Sequence, residues 1–380
     1  MERPLSLRFI GAQVLGPDGV GDGTIAMENG VLTDAASRDI DAAGYLILPG
    51  IIDLHGDGFE HHMAPRRGAQ TDPQLGLRAV EAELAANGIT TAVLAQFFSW
   101  EGGMRGPDFA EALIAAVGSY ASALDLRIQL RFEFSLLEAF DRVKALIEHE
   151  NIGYVVLNDH LNHTALSVGK RPPRLVGQAL KSGRSPDDHM ALLTRLHEQT
   201  PAALDALPEL TNWMTARGVK IGSHDDTTPD TRARFRALGA KIAEFPETRA
   251  AAEAAHAAGD PVIMGAPNVV RGGSHDGKIG ARDLIADGLV DALVSDYHYP
   301  APHRAALALW DDGLPLHQAW ALISGGPARV MGWSDRGTLA QGSRADLIVM
   351  DATTRRIEGV FSAGRAAYLC GPFAARLIGP

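Results

Sequence analysis

The chain has 380 residues, of which 46% are hydrophobic and 21% are charged, and its formal net charge is -11. This composition is typical of a globular protein, and the acid excess argues against a general nucleic-acid or membrane surface while leaving room for a local basic pocket. Cys370 is the only cysteine, so no intrachain disulfide can form and any metal would depend on His and carboxylate ligands. The sequence lacks both an export signal and a membrane-length apolar stretch, so we expect a cytoplasmic protein.

Both ends of the chain carry the pattern of short antiparallel strands joined by tight turns. The runs are residues 5–14, 24–27 and 31–32 at the start, and residues 337–339, 345–350 and 357–361 at the end. The dipeptide Asn29-Gly30 is a strong hairpin-turn signal. We therefore expect a small β-sandwich domain assembled from residues 1–45 and 335–380.

The segment between them, residues 46–334, alternates apolar strand runs with helical stretches. The candidate strands are residues 46–55, 89–97, 126–134, 154–160, 219–224, 241–245, 261–266 and 291–296. Helical spacing of apolar residues marks 75–87, 136–148 and 232–238. Such alternation indicates parallel βα units, and eight strands close a (β/α)8 barrel whose active site lies at the carboxyl ends of the strands. The predicted fold class is therefore α/β, a TIM barrel with an added β domain.

Metal-capable side chains follow several of the predicted strands. His55 and Asp57 end the first one and can leave it in the same direction, as two ligands of one cation. Taken alone, such a pair is equally typical of a turn with a capping aspartate. The pattern recurs, however, with His160 after the fourth strand, His224 at the end of the fifth and Asp296 at the end of the eighth. This recurrence favours a metal site.

Glu133, at the end of the third strand, is a carboxylate that could bridge two cations, or be a solvated acid or a partner of Arg131. Nitrogen and oxygen ligands without sulfur suit zinc, manganese or iron, with one or two ions per subunit. Such ions activate water, and Asp296 is the candidate to take its proton and pass it to the leaving group.

Two carboxylates follow His224 directly. Asp225 is a candidate to orient the His224 imidazole, because the second nitrogen of a ligating histidine usually contacts a carboxylate. For Asp226 we expect a different role, capping the helix predicted to begin near Pro229.

The chain resembles the amidohydrolase superfamily over nearly its whole length. The likeness rests on residues 48–55, which match the first barrel strand, and on residues 327–332 and 337–349, which match the return into the small β domain. Most members carry His-x-His on the first strand, whereas this chain has Asp57 in place of the second histidine.

A more specific resemblance is to the phosphonate-utilisation branch that works with carbon–phosphorus lyase. It rests on residues 55–60, 63–66, 223–229, 243–246, 264–275 and 295–297. This resemblance implies hydrolysis of α-D-ribose 1-methylphosphonate 5-triphosphate to the 5-phosphate and pyrophosphate, in phosphonate catabolism. The superfamily also suggests a homodimer.

A polyphosphate substrate needs cations near its oxygens, and the candidates are Arg66, Lys170, Arg271 and His275 in the strand-end loops. Solvated loop charge is the competing explanation for such residues. Residues 161–174 depart from the family, which usually continues Thr-Pro-Gly-Gln after the Asp-His pair, so a related substrate is also plausible.

Two alternatives remain open. The same metal chemistry serves C–N hydrolysis of a cyclic amide or an amino-heterocycle, as in much of the wider superfamily. A catalytically silent barrel kept for binding or assembly would have lost ligands, and the full set of metal-capable residues argues against it.

Overall fold

A computed structural model describes residues 4–66, 69–273 and 277–379. The strands are β1 Leu7–Gly16, β2 Gly19–Glu28, β3 Val31–Thr33, β4 Asp39–Asp41, β5 Tyr45–Pro49, β6 Ile51–Gly56, β7 Ile89–Phe98, β8 Asp125–Glu133, β9 Tyr154–Asn158, β10 Lys220–His224, β11 Ile242–Glu244, β12 Val262–Gly265, β13 Ala292–Val294, β14 Leu347–Asp351, β15 Ile357–Ser362 and β16 Arg365–Leu369. The helices are α1 Glu60–Met63, α2 Pro73–Ala86, α3 Pro107–Ser119, α4 Phe140–Glu150, α5 His163–Leu166, α6 Leu175–Lys181, α7 Pro186–Ala216, α8 Pro229–Ala237, α9 Arg249–Ala257, α10 Ala266–Arg271, α11 Ala281–Ala286, α12 Ala301–Asp311, α13 Leu316–Ala321, α14 Gly325–Met331 and α15 Gly371–Ile378. No helix in these ranges is both long and apolar enough to cross a membrane.

The first sheet is built from both ends of the chain. Its order is β16-β15-β14-β5-β1-β2-β3, with β4 added beside β1. Its pairings are antiparallel except those of β1 with β4 and β5. Phe9, Phe361 and Phe373 of α15 pack together in its core with ring centroids 5.6 to 6.4 Å apart. The expected β domain made from both termini is confirmed.

The second sheet holds eight strands in chain order from β6 to β13. Its recorded pairings are parallel, and the strand interiors are buried, as expected where helices cover a parallel sheet. A parallel bridge between Gly56 and Asp296 joins the first strand to the segment after the last. The Asp57 amide donates to the Asp296 carbonyl at 2.8 Å, and the Asp296 amide donates to the His55 carbonyl at 2.9 Å. The predicted (β/α)8 barrel is therefore confirmed.

The predicted first barrel strand, residues 46–55, is wrong as a single element. The run is divided between β5, which pairs with β1 and β14, and β6, which pairs with β7. The division falls at Gly50, where a Cβ atom would overlap the side chain of Thr90. Pro49 beside it has no amide hydrogen to donate to a sheet. One apolar run thus supplies both sheets, and its hydrophobicity alone does not reveal the break.

The chain divides into two compact units. The first unit comprises Met1–Leu94, Tyr120–Arg127 and Pro261–Pro380, and the second comprises Ala95–Ser119 and Ile128–Asp260. The first contains the terminal β sheet together with β6, β12 and β13, whereas the second contains β9, β10 and β11. The predicted boundaries of the β domain, at residues 45 and 335, remain a prediction.

Candidate metal centre

In the first unit, three predicted ligands come together where the barrel closes. One donor atom each of His55, Asp57 and Asp296 lies within 4.8 Å of the others. His55 is the penultimate residue of β6 and is fully buried, and Asp57 and Asp296 are partly exposed. We call these three residues the acidic set. Its members are brought together by the backbone hydrogen bonds that join β6 to the segment after β13.

A buried carboxylate strengthens this junction. Asp53 on β6 accepts hydrogen bonds from the amide of Ser295 at 2.8 Å and from its hydroxyl at 2.5 Å. Burial raises the pKa of Asp53, against the two hydrogen bonds from Ser295, which lower it. Gly56 leaves room for this arrangement, since a Cβ there would meet Asp53, Ser295 and the ring of Tyr299. Asp296, which follows Ser295 in the chain, has a φ of 55°. Aspartate tolerates this left-handed conformation better than most residues do.

In the second unit, donor atoms of His160, His224 and Asp225 lie within 4.8 Å of one another. We call these three residues the imidazole set. Nδ1 of His224 is 3.0 Å from Oδ2 of Asp225, and the role of Asp225 in orienting this ring remains a prediction. The prediction that β9 reaches His160 is wrong, because the strand ends at Asn158 and His160 lies in the following loop. The hydrogen bonds of its side chain therefore matter more to its position than the strand does.

Glu133 supplies those hydrogen bonds. It ends β8, is fully buried, and accepts from the amide of His160 at 3.1 Å and from Nε1 of Trp100 at 3.2 Å; its Oε1 also contacts Nδ1 of His160. Burial would raise the pKa of Glu133, but the charge and hydrogen bonds of His160 lower it overall. Burial would lower the pKa of His160, but the charge of Glu133 raises it. Among the described residues Glu133 joins no ligand group, so its contacts favour orienting His160, and metal bridging remains a prediction.

Sequence reasoning missed Glu244 as a site residue. It is fully buried on β11 directly opposite His224 on β10, and the two residues have donor atoms within 4.8 Å of each other. Its Oε1 accepts from Nε2 of Gln129 at 2.7 Å and from the hydroxyl of Tyr154 at 2.6 Å. Burial, followed by the charge of Glu244, raises the pKa of Tyr154 well above its usual value. The sequence did offer one signal for Glu244, because it is an acidic residue at the end of a buried strand, as Glu133 is.

Arg131, two residues before Glu133, also reaches the imidazole set. Its Nη2 lies 3.0 Å from Nε2 of His224, and its Cζ lies 3.9 Å from the centroid of the Phe97 ring. The residue is only 5% exposed. A cation–aromatic contact of this kind stabilises the guanidinium at this position.

The expected cap at Asp226 is wrong. The helix does begin at Pro229, as predicted, but its N-cap is Thr228, whose side chain accepts from the amide of Thr231. Asp226 is buried and accepts from the Ser223 hydroxyl at 2.6 Å and from Arg232 at 2.9 Å. A buried carboxylate is stabilised better by a guanidinium than by an exposed helix end.

The predicted phosphate-binding residues that the structure describes are exposed, unlike most of the predicted metal ligands. Arg66, Lys170 and Arg271 are exposed, and Arg271 lies 6.0 Å from the ring centroid of Tyr297. His275 lies outside the described residues. The role of these residues in binding phosphate remains a prediction.

Both sets of side chains fit a divalent ion, because nitrogen and oxygen donors converge within the span that one ion covers. A barrel bearing such donors at the carboxyl ends of its strands defines a metal-dependent hydrolase. Residues 76–362 match the amidohydrolase family, and the chain belongs to that family.

Comparison with characterised proteins agrees with this assignment. The chain is 31% identical over 348 residues to the α-D-ribose 1-methylphosphonate 5-triphosphate diphosphatase of Escherichia coli strain K12, covering 86% of this chain and 90% of the relative. A β-aspartyl dipeptidase from Fervidobacterium islandicum AW-1 has a similar fold, with a TM-score of 0.63, 16% identity and coverage of 96% and 97% of the two chains. A zinc-bound adenosine deaminase from Xanthomonas campestris has a TM-score of 0.55, 14% identity and coverage of 99% and 97%. At these identities the two solved structures support the fold alone.

Proposed function

We propose that the chain hydrolyses the phosphoanhydride of α-D-ribose 1-methylphosphonate 5-triphosphate, or of a close relative, to the 5-phosphate and pyrophosphate. The observation that carries this proposal is the 31% identity to the diphosphatase, because it extends over 86% of this chain and so includes every barrel strand that bears a candidate ligand. The exposed cations Arg66, Lys170 and Arg271 suit a substrate with several phosphate oxygens.

In this proposal His55 and Asp57 would hold one divalent ion, and His160 and His224 would provide imidazole ligands. A bound divalent ion would lower the pKa of a water and polarise a phosphoryl oxygen. Asp296 takes the proton from the attacking water and delivers it to the departing pyrophosphate oxygen. Asp225 orients the His224 ring, and Glu133 orients the His160 ring through the contacts already described.

The test is a phosphorus NMR assay of the ribose triphosphate phosphonate and a panel of nucleoside triphosphates. The protein is first stripped with a chelator and then supplied separately with zinc, manganese or iron. We expect pyrophosphate release only after metal is restored. No phosphate product from any of these compounds, together with hydrolysis of a cyclic amide or an amino-heterocycle, would replace the proposal with C–N hydrolysis.

Three finer features belong to the same proposal. We expect zinc to be the most effective metal, the subunit to form a homodimer, and the protein to work in the cytoplasm on a small phosphorylated substrate. Metal analysis of the purified protein and light scattering test the first two, and cell fractionation tests the third.

A further inference from the structure

Tyr297, in the first unit, is an exposed aromatic residue next to the acidic set. It directly follows Asp296 in the chain, and its side chain is 42% exposed. Among the large hydrophobic residues that are exposed in the described ranges, it is the only aromatic one. Single exposed apolar residues are common and need no function. Two further features, the fixed backbone at Tyr297 and the cation beside its ring, distinguish this residue from the others.

The backbone at Tyr297 is held in place although the side chain is exposed. The chain makes a tight turn here, in which the His298 amide donates to the Ser295 carbonyl at 3.0 Å. The loop after β6 packs against this turn, since a Cβ atom on Gly58 would lie 3.3 Å from the Tyr297 carbonyl oxygen. A side chain on a fixed backbone loses less conformational freedom when it contacts a ligand, so Tyr297 is well suited to binding one.

Arg271 supplies a cation beside this ring. Its Cζ lies 6.0 Å from the centroid of the Tyr297 ring, at the outer limit of a cation–aromatic contact. Arg271 ends α10, which begins directly after β12, and β12 pairs with β13, the strand that precedes Tyr297. The two side chains therefore come from neighbouring loops at the carboxyl ends of the strands, where barrel enzymes bind their substrates. Together they present an aromatic ring and a guanidinium to a ligand.

We propose that the Tyr297 ring packs against the sugar of the substrate, while Arg271 binds an anionic group that the sugar carries. A sugar phosphate presents an uncharged ring with C–H groups next to charged oxygen atoms, whereas inorganic triphosphate presents only the charged oxygens. An aromatic ring suits the first feature and a guanidinium suits the second. This inference rests on the proposed function, and it makes Tyr297 the residue that favours a sugar triphosphate over inorganic triphosphate.

Steady-state kinetics of Tyr297→Ala test this proposal. We expect the KM of the ribose triphosphate phosphonate to rise about tenfold with little change in kcat, because the lost contact is to a part of the substrate that does not react. The inhibition constant of inorganic triphosphate should stay at its wild-type value. Tyr297→Phe keeps the ring and should keep the wild-type KM. An unchanged KM in Tyr297→Ala, equal weakening of both compounds, or the same loss in Tyr297→Phe would overturn the proposal.

A second aromatic residue of the first unit provides the matched control. Trp310 also has a guanidinium over its ring, with Cζ of Arg355 at 4.6 Å, but it lies near the end of α12 rather than after a barrel strand. Trp310→Ala should leave both the KM and the inhibition constant unchanged. Arg271→Met should raise the KM about tenfold, because it removes the proposed partner of the anionic group. An equal rise in Trp310→Ala and Tyr297→Ala, or an unchanged KM in Arg271→Met, would contradict the proposal.

Calorimetry with ribose 5-phosphate and inorganic phosphate separates this inference from the proposed function, because it needs no turnover. In zinc-loaded Tyr297→Ala we expect the affinity for ribose 5-phosphate to fall about tenfold and that for inorganic phosphate to stay unchanged. The urea midpoint should match the wild type, since the side chain is exposed. If the wild type cleaves no phosphoanhydride but shows this loss, only the proposed function fails. If it cleaves the sugar triphosphate and Tyr297→Ala binds ribose 5-phosphate normally, only the role of Tyr297 fails.

Discussion

The acidic set and the imidazole set contain similar ligands, but different forces hold them. The acidic set is positioned by the backbone: its members flank the hydrogen bonds that close the barrel, and the buried Asp53 ties Ser295 to the same place. The imidazole set depends on side chains, because His160 lies beyond its strand and contacts Glu133, while His224 contacts Arg131 and Asp225. The acidic set is therefore positioned by the pairing of the barrel strands, whereas the position of the imidazole set depends on the side chains that contact its two histidines.

The largest expected effect is the loss of turnover when Asp296 is substituted. If the acidic set supplies the proton acceptor, Asp296→Asn should lower turnover by about 100-fold to 10,000-fold while metal remains bound. Steady-state pyrophosphate release measures the turnover, and metal analysis of the same sample measures the metal that remains bound. Asp159→Asn is the matched control, because Asp159 also follows a barrel strand but contacts His163. Near-normal turnover in Asp296→Asn would remove this residue from the proton-transfer role.

The next effect concerns the stability of the barrel closure. Asp53→Ala removes the acceptor of two hydrogen bonds from Ser295, and we expect the free energy of unfolding to fall by about 3 kcal/mol. Ser295→Ala loses only the hydroxyl bond and should lose about half as much. Urea unfolding compares the two variants with the wild type. An unchanged midpoint in Asp53→Ala would mean that backbone pairing alone holds the acidic set.

Glu133→Gln probes the imidazole set. If Glu133 orients His160, zinc affinity should fall about tenfold with no change in the number of ions bound. Glu138→Gln is the control, because Glu138 lies in the same segment and contacts Gln199 instead. Titration calorimetry and metal analysis give affinity and stoichiometry. The loss of one of two bound ions would restore the bridging role predicted for Glu133.

The smallest effect is a pH dependence in the first unit. Burial, followed by the nearby charges of Arg304 and His298, lowers the pKa of His303 on α12 to about 4. The unfolded chain, with a pKa of about 6.5, binds the proton more readily, so the stabilising contribution is complete above about pH 6.5 and is lost progressively down to about pH 4. Urea unfolding at pH 7 and pH 5 should show a larger acid loss in the wild type than in His303→Gln. Identical losses would show that His303 titrates normally.

The features that could be predicted from the sequence are those that depend on hydrophobic periodicity and on the residue types at strand ends. Both sheets and the convergence of His55, Asp57 and Asp296 followed from apolar runs ending in metal-capable residues, since parallel strand ends meet at one edge. It did not predict the break at Gly50, which depends on contact with the distant Thr90. Nor did it reveal Glu244, whose importance depends on its pairing opposite His224. The helix α7, Pro186–Ala216, also escaped prediction, because Pro201 and Pro208 inside it are usually helix breakers.

The pairing of β5 with β14 has a consequence for how the protein is made. These strands come from opposite ends of the chain, and β5 also pairs with β1. During synthesis the edge of β5 that pairs with β14 therefore stays unpaired until β14 has also left the ribosome. Premature termination before β14 would leave that edge exposed to other nascent chains, so aggregation should be the characteristic failure of truncated products.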